Sequence, residues 1–247
     1  MAAAALAQTP ALVDPRLIVA LDVPTAGEAR ARIEALGDAV SFYKVGLELF
    51  ASDGMALARE LKDAGKQVFL DWKLHDIGAT VEKAAAALAA RGAGDLLTVH
   101  ARPQVMAAAM RGVEGSDLKV LGVTVLTSLS DADLAELGYG FSAADLVEQR
   151  VRQALDCGVD GVVSSPLEAA RARALAEAAG RPDFLIVTPG VRPEGADKGD
   201  QQRVATPRDA LRAGATHLVV ARPVVAADNP LWAAATIVES IDGFARR

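Results

Sequence analysis

Eight short runs rich in Val, Leu and Ile recur along the chain, separated by stretches rich in Ala, Leu, Glu and Arg. The runs do not alternate cleanly between apolar and polar residues, which is typical of parallel strands whose outer side is covered by helices. They are LIVALD (17–22), SFYKVG (41–46), QVFLDWK (67–73), DLLTVHA (95–101), LKVLGVTVL (118–126), GVDGVVSS (158–165), DFLIVTPG (183–190) and THLVVARP (216–223). This alternation predicts one α/β domain, a single (β/α)8 TIM barrel over residues 16–247, with a doubly wound open sheet as the alternative.

Helix boundaries carry signals of their own. Thr25 with Glu28 fits a capping box, and so does Ser165 with Glu168. Pro166 and Pro207 each fit the first position of a helix. Glycines stand where helices should end before the next strand, at positions 65, 92, 158, 180 and 214.

Composition limits the classes of function. The 247 residues are 51% hydrophobic and 23% charged, which suits a folded domain with a substantial core. A net charge of −6 argues against general binding of nucleic acid or membrane surfaces, but it leaves room for a phosphate ligand at a local positive site. The single cysteine, Cys157, excludes an internal disulfide framework, fits a reducing cytoplasm and is expected to be a core residue.

Residues 1–15 are rich in alanine and lack the positively charged opening of a secretory signal. We expect them to form a loose N-terminal tail or a segment packed against the bottom of the barrel. No apolar run approaches the roughly 18 residues of a membrane span.

Charged and polar side chains gather at the ends of the predicted strands. In barrels of this type the active site lies at the carboxyl ends of the strands. The residues placed there are Asp22, Lys44, Asp71, Lys73, Asp76, His100, Thr124, Thr127 and Arg222. The sequence therefore predicts a ring of charges at one end of the barrel.

The centre of this ring is the third strand. Asp71 and Lys73 are two residues apart and so share one face of the strand. Asp76, in the following loop, can fold back toward Lys73, and Lys44 can reach Asp71 from the neighbouring strand. A lysine between two carboxylates stays protonated and can act as a proton donor. The alternative interpretation is a purely structural ion-pair network at the barrel mouth.

A second cluster points to a phosphate. The loop after the seventh strand, residues 189–204, is long and contains glycines, as expected of a lid over an active site. Arg192 and Gln201 belong to this loop, and Arg222 closes the eighth strand. Arginine forms forked hydrogen bonds to phosphate oxygens, and the loops after strands seven and eight are the common phosphate site of such barrels.

Neither a metal nor a cofactor is expected. His75, His100 and His217 are far apart in sequence and lack the spacing of metal ligands, although the first two could approach each other across strands three and four. No glycine-rich nucleotide-binding loop follows the first strand.

Six motifs in order identify a resemblance: ALDV, KVG, DWKLHDIGATV, VTVLTS, TPGVRPEGADKGDQQR and VVARPV. Together they resemble the bacterial type of the orotidine 5′-phosphate decarboxylase family, over nearly the whole chain from about Leu17. The resemblance implies a cofactor-free homodimeric enzyme that converts orotidine 5′-monophosphate to uridine 5′-monophosphate, the last step of de novo pyrimidine biosynthesis.

The resemblance also implies roles. Lys73 corresponds to the lysine that protonates the ring carbon as carbon dioxide leaves, and Asp71 to the carboxylate placed against the substrate carboxylate. Lys44 and Asp22 correspond to groups that hold the ribose hydroxyls and join the charge network. The remaining positions are Asp76 and Thr80, supplied to the other subunit of the dimer; Thr127, a pyrimidine contact; and Pro189, Arg192, Gln201, Ala221 and Arg222, which grip phosphate and pyrimidine.

The chain departs from the family pattern at a few positions. Trp72 replaces a leucine or phenylalanine and is expected to point away from the charged face of its strand. Gly78 and Ala79 replace Pro-Asn in the loop that reaches across the dimer, and Ala221 replaces a glycine beside the expected phosphate.

Two other functions fit parts of the pattern. A Mg²⁺-dependent sugar-phosphate decarboxylase or aldolase shares the D-x-K-x-x-D motif but carries a glutamate ligand on the second strand, where this chain has Lys44. A non-catalytic barrel that binds a phosphate ligand is the other alternative, although it would not need Lys73 together with both carboxylates.

Overall fold

The chain folds as a closed barrel of eight parallel strands. The computed structural model describes residues 13–192 and 204–245, with side chains up to residue 241. The strands are β1 (Leu17–Ala20), β2 (Phe42–Val45), β3 (Gln67–Leu74), β4 (Leu96–His100), β5 (Lys119–Val123), β6 (Gly161–Val163), β7 (Leu185–Thr188) and β8 (His217–Val220). Each strand pairs with the next along the chain, and β8 pairs with β1, so the open-sheet alternative is wrong.

Helices lie between the strands. They are α1 (Ala26–Leu36), α2 (Leu47–Phe50), α3 (Gly54–Asp63), α4 (Gly78–Arg91), α5 (Pro103–Gly112), α6 (Asp131–Glu136), α7 (Ala143–Asp156), α8 (Ala169–Ala178), α9 (Pro207–Arg212), α10 (Arg222–Val225) and α11 (Pro230–Ala245), with a 3-10 turn at Gly37–Ala39. Over the described ranges, none of these helices has the length and apolar character needed to span a bilayer.

The strands divide the apolar side chains between two clusters. Alternate residues of a strand point to opposite sides of the sheet. Phe42, Phe69 and Leu96 belong to the cluster inside the barrel, whereas Tyr43 and Leu70 belong to the larger cluster between the sheet and the helices. Both faces are therefore buried, which explains why the strand sequences are apolar almost throughout.

Most helix boundary signals act as predicted. Thr25 Oγ1 accepts the backbone N–H of Glu28 at the start of α1, and Pro207 is the first residue of α9. The glycines at 65, 92, 158, 180 and 214 all have positive φ. The helix start predicted at Ser165 is wrong, because α8 begins only at Ala169. Instead, the Ser165 hydroxyl donates to the Glu168 carboxylate in the turn before the helix.

The amino-terminal segment closes the bottom of the barrel where it is described. Asp14 is buried and pairs with Arg16, whose backbone carbonyl accepts the N–H of Leu218 in β8. Residues 1–12 of the predicted tail lie outside the described residues.

Candidate active site

A cavity of about 530 Å³ opens at the carboxyl ends of the strands. Its described lining combines charged and apolar residues. The lining residues are Ala20, Asp22, Lys44, Phe69, Asp71, Lys73, Val123, Val125, Leu126, Thr127, Ser128, Val163, Ser164, Pro189, Gly190, Arg192, Val219, Ala221, Arg222 and Val225. Of the residues predicted at the strand ends, Asp22, Lys44, Asp71, Lys73, Thr127 and Arg222 line this concave site, whereas Asp76, His100 and Thr124 do not.

Strand periodicity brings the charges to this cavity. Phe42 and Phe69 fill the barrel interior, and two residues further along the same strands Lys44 and Asp71 reach the cavity. Trp72, between Asp71 and Lys73, points the other way, as expected, into the cluster between sheet and helices. The apolar interior of the barrel therefore lies directly below the charged residues of the cavity.

Four charged side chains form one connected network. Lys44 Nζ lies 2.8 Å from Asp22 Oδ1 and 3.3 Å from Asp71 Oδ2. The other oxygen of Asp71, Oδ1, lies 2.9 Å from Lys73 Nζ. Asp71 thus bridges the two lysines, with one carboxylate oxygen for each.

Burial and charge act in opposite directions within this network. Burial alone would raise the pKa of Asp71, but the ammonium groups of Lys44 and Lys73 outweigh burial and hold the pKa below its ordinary value. Burial alone would lower the pKa of Lys44, yet the carboxylates of Asp71 and Asp22 raise it. Both groups therefore remain charged around neutral pH, inside a site that excludes much of the solvent.

Asp76 does not join this network in its own chain. Its Oδ1 accepts the backbone N–H of Ile77 at 2.6 Å, and the side chain is exposed. Within the described part of the chain no ion pair joins Asp76 to Lys73, so the expectation that Asp76 folds back onto Lys73 is not met. Thr80, near the start of α4, is also exposed and does not line the cavity.

Two arginines line the same cavity as the lysines. Arg192, which follows β7, is buried; its Nη1 donates to the carbonyl of Val191 and its backbone N–H to the carbonyl of Ala205. Arg222 is the first residue of α10, immediately after β8. The arginines predicted to bind phosphate thus face the same cavity as the charge network.

The remaining predicted binding residues divide between the cavity and the part of the chain that is not described. Thr127, Pro189 and Ala221 line the cavity. Gln201, with most of the predicted lid, lies outside the described residues.

Three residues near the charged network were not predicted from the sequence. Thr98, on the inner face of β4, contacts both Asp71 and Lys73. Gly46 lies so close to Asp22 and Lys44 that a side chain would touch both. Ser164 lines the cavity with a buried hydroxyl that has no protein partner. The sequence did contain a signal for Thr98: it is a polar residue at an inward-facing position of a largely apolar strand.

The histidines lie as the strand order suggested. The rings of His75 and His100 approach to 5.2 Å between centroids. Burial, followed by the neighbouring charges of His75 and Lys73, lowers the pKa of His100. Among the described residues there is no group of three or more His, Cys, Asp and Glu side chains that could hold a metal ion.

Curated relatives resemble the chain over nearly its full length. The orotidine 5'-phosphate decarboxylase of Caulobacter vibrioides (strain NA1000 / CB15N) is 67% identical over 230 residues, which cover 93% of this chain and 98% of that protein. The enzyme of the same name from Rhodopseudomonas palustris (strain BisB5) is 54% identical over 226 residues, 92% of this chain and 94% of the relative.

The fold has a solved counterpart. The crystal structure of orotidine 5'-phosphate decarboxylase from Lactobacillus acidophilus superposes with a TM-score of 0.79 at 36% identity, covering 93% of this chain and all of the other. Residues 15–237 also match the model of one protein family. The chain belongs to the orotidine 5'-phosphate decarboxylase / HUMPS family.

Proposed function

We propose that this chain decarboxylates orotidine 5′-monophosphate to uridine 5′-monophosphate, the last step of de novo pyrimidine biosynthesis, without a cofactor. The observation that carries the proposal is Asp71 held between Lys44 and Lys73 at the wall of the cavity. The names of relatives with up to 67% identity point to the same reaction.

The charge network suits a reaction that leaves an anion on a ring carbon. The carboxylate of the substrate would lie against Asp71, where two negative charges repel each other. When the bond to carbon dioxide breaks, its electron pair stays on the ring carbon, beside the ammonium group of Lys73. Lys73 then donates a proton to that carbon, a new C–H bond forms, and the neutral amine regains a proton from solvent.

The other residues would bind the parts of the nucleotide that do not react. Lys44 and Asp22, joined at 2.8 Å, would hold the ribose hydroxyls. Thr127 would contact the pyrimidine. Arg192 and Arg222 would bind the phosphate, with Pro189 and Ala221 lining this part of the cavity and Gln201 acting from the loop. Phosphate binding far from the reacting carbon can stabilise the transition state at the other end of the substrate.

Asp76 and Thr80 would complete the site of a second subunit in a homodimer. Both are exposed near the carboxyl end of β3 and the start of α4, and neither lines the cavity of its own chain. A partner subunit placed against this rim would bring the two side chains to the other cavity.

The absorbance of orotidine 5′-monophosphate tests the proposal directly, because loss of the ring carboxylate changes the ultraviolet spectrum. We expect the purified chain to convert the substrate fully, and equally well after treatment with a chelator. No spectral change with folded protein would reject the proposed function. Loss of activity on chelation, restored by Mg²⁺, would favour the metal-dependent alternative.

A further inference from the structure

Thr98 is a buried polar residue in the middle of the candidate site. It belongs to β4, where its inward neighbours on the same strand are Leu96 below and His100 above. Its exposed fraction is 0%, and it does not line the cavity itself. A hydroxyl buried inside a barrel needs protein partners, because burial without them is unfavourable.

Both partners of the Thr98 hydroxyl belong to the charge network. Oγ1 accepts the backbone N–H of Lys73 at 2.9 Å. It also lies 3.1 Å from Asp71 Oδ1, to which it can donate its only hydrogen. The carbonyl of Leu70, at 3.5 Å, is the more distant and uncharged acceptor. A hydrogen bond to a carboxylate is stronger than one to a neutral group, so the hydroxyl points to Asp71.

The backbone of Lys73, which donates to this hydroxyl, has an uncommon conformation. Its φ is +48°, and it is the one non-glycine residue with positive φ in the part of the chain that the structure describes. Residues with a side chain rarely adopt this left-handed conformation. The regular pairing of β3 with β4 is interrupted between Leu70 and Leu74, so the N–H of Lys73 is bound by the Thr98 side chain.

We propose that Thr98 is a positioning residue for the decarboxylation, an inference that rests on the proposed function. One hydroxyl holds the backbone of Lys73 in its left-handed conformation and orients the carboxylate of Asp71. Asp71 can then present Oδ1 to Lys73 and Oδ2 to Lys44 at the same time. Loss of the hydroxyl would let the carboxylate rotate and Lys73 leave the position from which it reaches the substrate.

Two substitutions at Thr98 distinguish the role of its hydroxyl from the contribution of its side chain to packing. Thr98→Val keeps the shape and removes the hydroxyl, whereas Thr98→Ser keeps the hydroxyl. We expect Thr98→Val to lower kcat by about 10- to 100-fold, as for the loss of a charge-assisted hydrogen bond, with KM changed by less than about threefold. Thr98→Ser should retain kcat within about threefold of the wild type.

Thr188→Val is the matched control. Thr188 is equally buried, at 0% exposure, it ends β7, and its hydroxyl has no protein partner. The same chemical change there should leave kcat and KM unchanged. If Thr98→Val fails to fold, Thr98→Ala replaces it with the same expected loss of kcat.

Three outcomes would overturn the proposal: wild-type kcat in folded Thr98→Val or Thr98→Ala, an effect on KM alone, or equal impairment of Thr98→Ser. Failure of this inference is distinct from failure of the proposed function. A wild-type chain that does not decarboxylate orotidine 5′-monophosphate rejects both, whereas an active wild type with an equally active Thr98→Val rejects only the role of Thr98.

Discussion

The two lysines of the site occupy different environments. Lys44 contacts two carboxylates and only 10% of its side chain is exposed, whereas Lys73 contacts one carboxylate and 25% is exposed. The sequence interpretation placed Lys73 between two carboxylates of its own chain, but the structure gives that environment to Lys44. Lys44 is therefore suited to hold and orient groups, and Lys73 is free enough to reach a substrate.

Replacement of Lys73 tests its role as proton donor. We expect Lys73→Ala to lower turnover by more than about 100-fold, because general acid catalysis contributes at least that much. The fold should persist, since Asp71 keeps Lys44 as an ion-pair partner. Turnover is followed by absorbance and folding by circular dichroism, with Lys83→Ala on the exposed side of α4 as a control. Turnover within tenfold of the wild type would refute the role.

Gly46 leaves room for the pair formed by Asp22 and Lys44. A Cβ at this position would lie 2.9 Å from Asp22 Oδ1 and 3.0 Å from Lys44 Nζ. Both atoms are the ends of flexible side chains, so they can move at little cost to folding but not without changing the site. We expect Gly46→Ala to lower kcat/KM by about tenfold or more while Tm changes by less than about 4 °C, a shift that corresponds to about 1 to 2 kcal/mol.

Gly27→Ala provides the comparison for Gly46. In α1 the nearest atom to an added Cβ is Thr25 Oγ1 at 3.8 Å, an ordinary contact. Activity should be unchanged in this variant. Equal activity of Gly46→Ala and Gly27→Ala would show that the charged pair tolerates the displacement.

At the scale of elements, the turn from β8 into α10 places Arg222, the cation expected to bind the phosphate. Arg222 follows Ala221 directly, and both line the cavity. We expect Arg222→Ala to lower kcat/KM by about 10- to 100-fold, the loss of a charge-assisted hydrogen bond to phosphate. With orotidine, which lacks the phosphate, the loss should be much smaller.

Arg208→Ala, on the first turn of α9, removes an arginine that does not line this cavity. It should behave as the wild type with both substrates. Equal losses of Arg222→Ala on the nucleotide and on orotidine would contradict a role in phosphate binding.

Elements were predictable where their signals are local. All eight predicted runs contain a strand; seven of the observed strands are shorter at one or both ends, whereas β3 extends one residue beyond its run. The cap at Thr25 and the glycine ends depend on contacts within one turn of helix, which the sequence displays directly. The start of α8 was misplaced because Ser165, Pro166 and Glu168 fit a helix start but form a turn before it.

At the scale of the whole molecule, barrel closure buries a titratable group far from the cavity. His217 begins β8 at the bottom of the barrel, with its ring edge-on to Phe42. Burial, with a smaller contribution from Lys119, lowers its pKa to about 4, while Asp14 acts in the opposite direction. The folded chain therefore keeps His217 neutral at pH values where the unfolded chain protonates it.

The free energy of unfolding should consequently decrease as the pH is lowered, and part of this decrease should depend on His217. Its contribution is fully present above about pH 6.5, the ordinary pKa of histidine, and is lost as pH falls toward 4, by roughly 2 to 3 kcal/mol. Urea unfolding at pH 7 and pH 4.5, at one protein concentration, measures the change. His217→Gln should lose less stability than the wild type between these values, and an identical loss would contradict the assignment.

The alternation of strands and helices, and the kinds of charged residues at the strand ends, follow from the sequence alone. Periodicity and capping act over a few residues, so they can be read without knowing the rest of the fold. The pairing of charges is different in kind: Lys44 meets Asp22 across 22 residues and Thr98 meets Asp71 across 27. Such contacts depend on strand register, on the interruption beside Lys73 and on barrel closure. For this reason only the tertiary structure decided that Asp71 bridges two lysines, that Thr98 contacts both Asp71 and Lys73, and that Asp76 does not join them in its own chain.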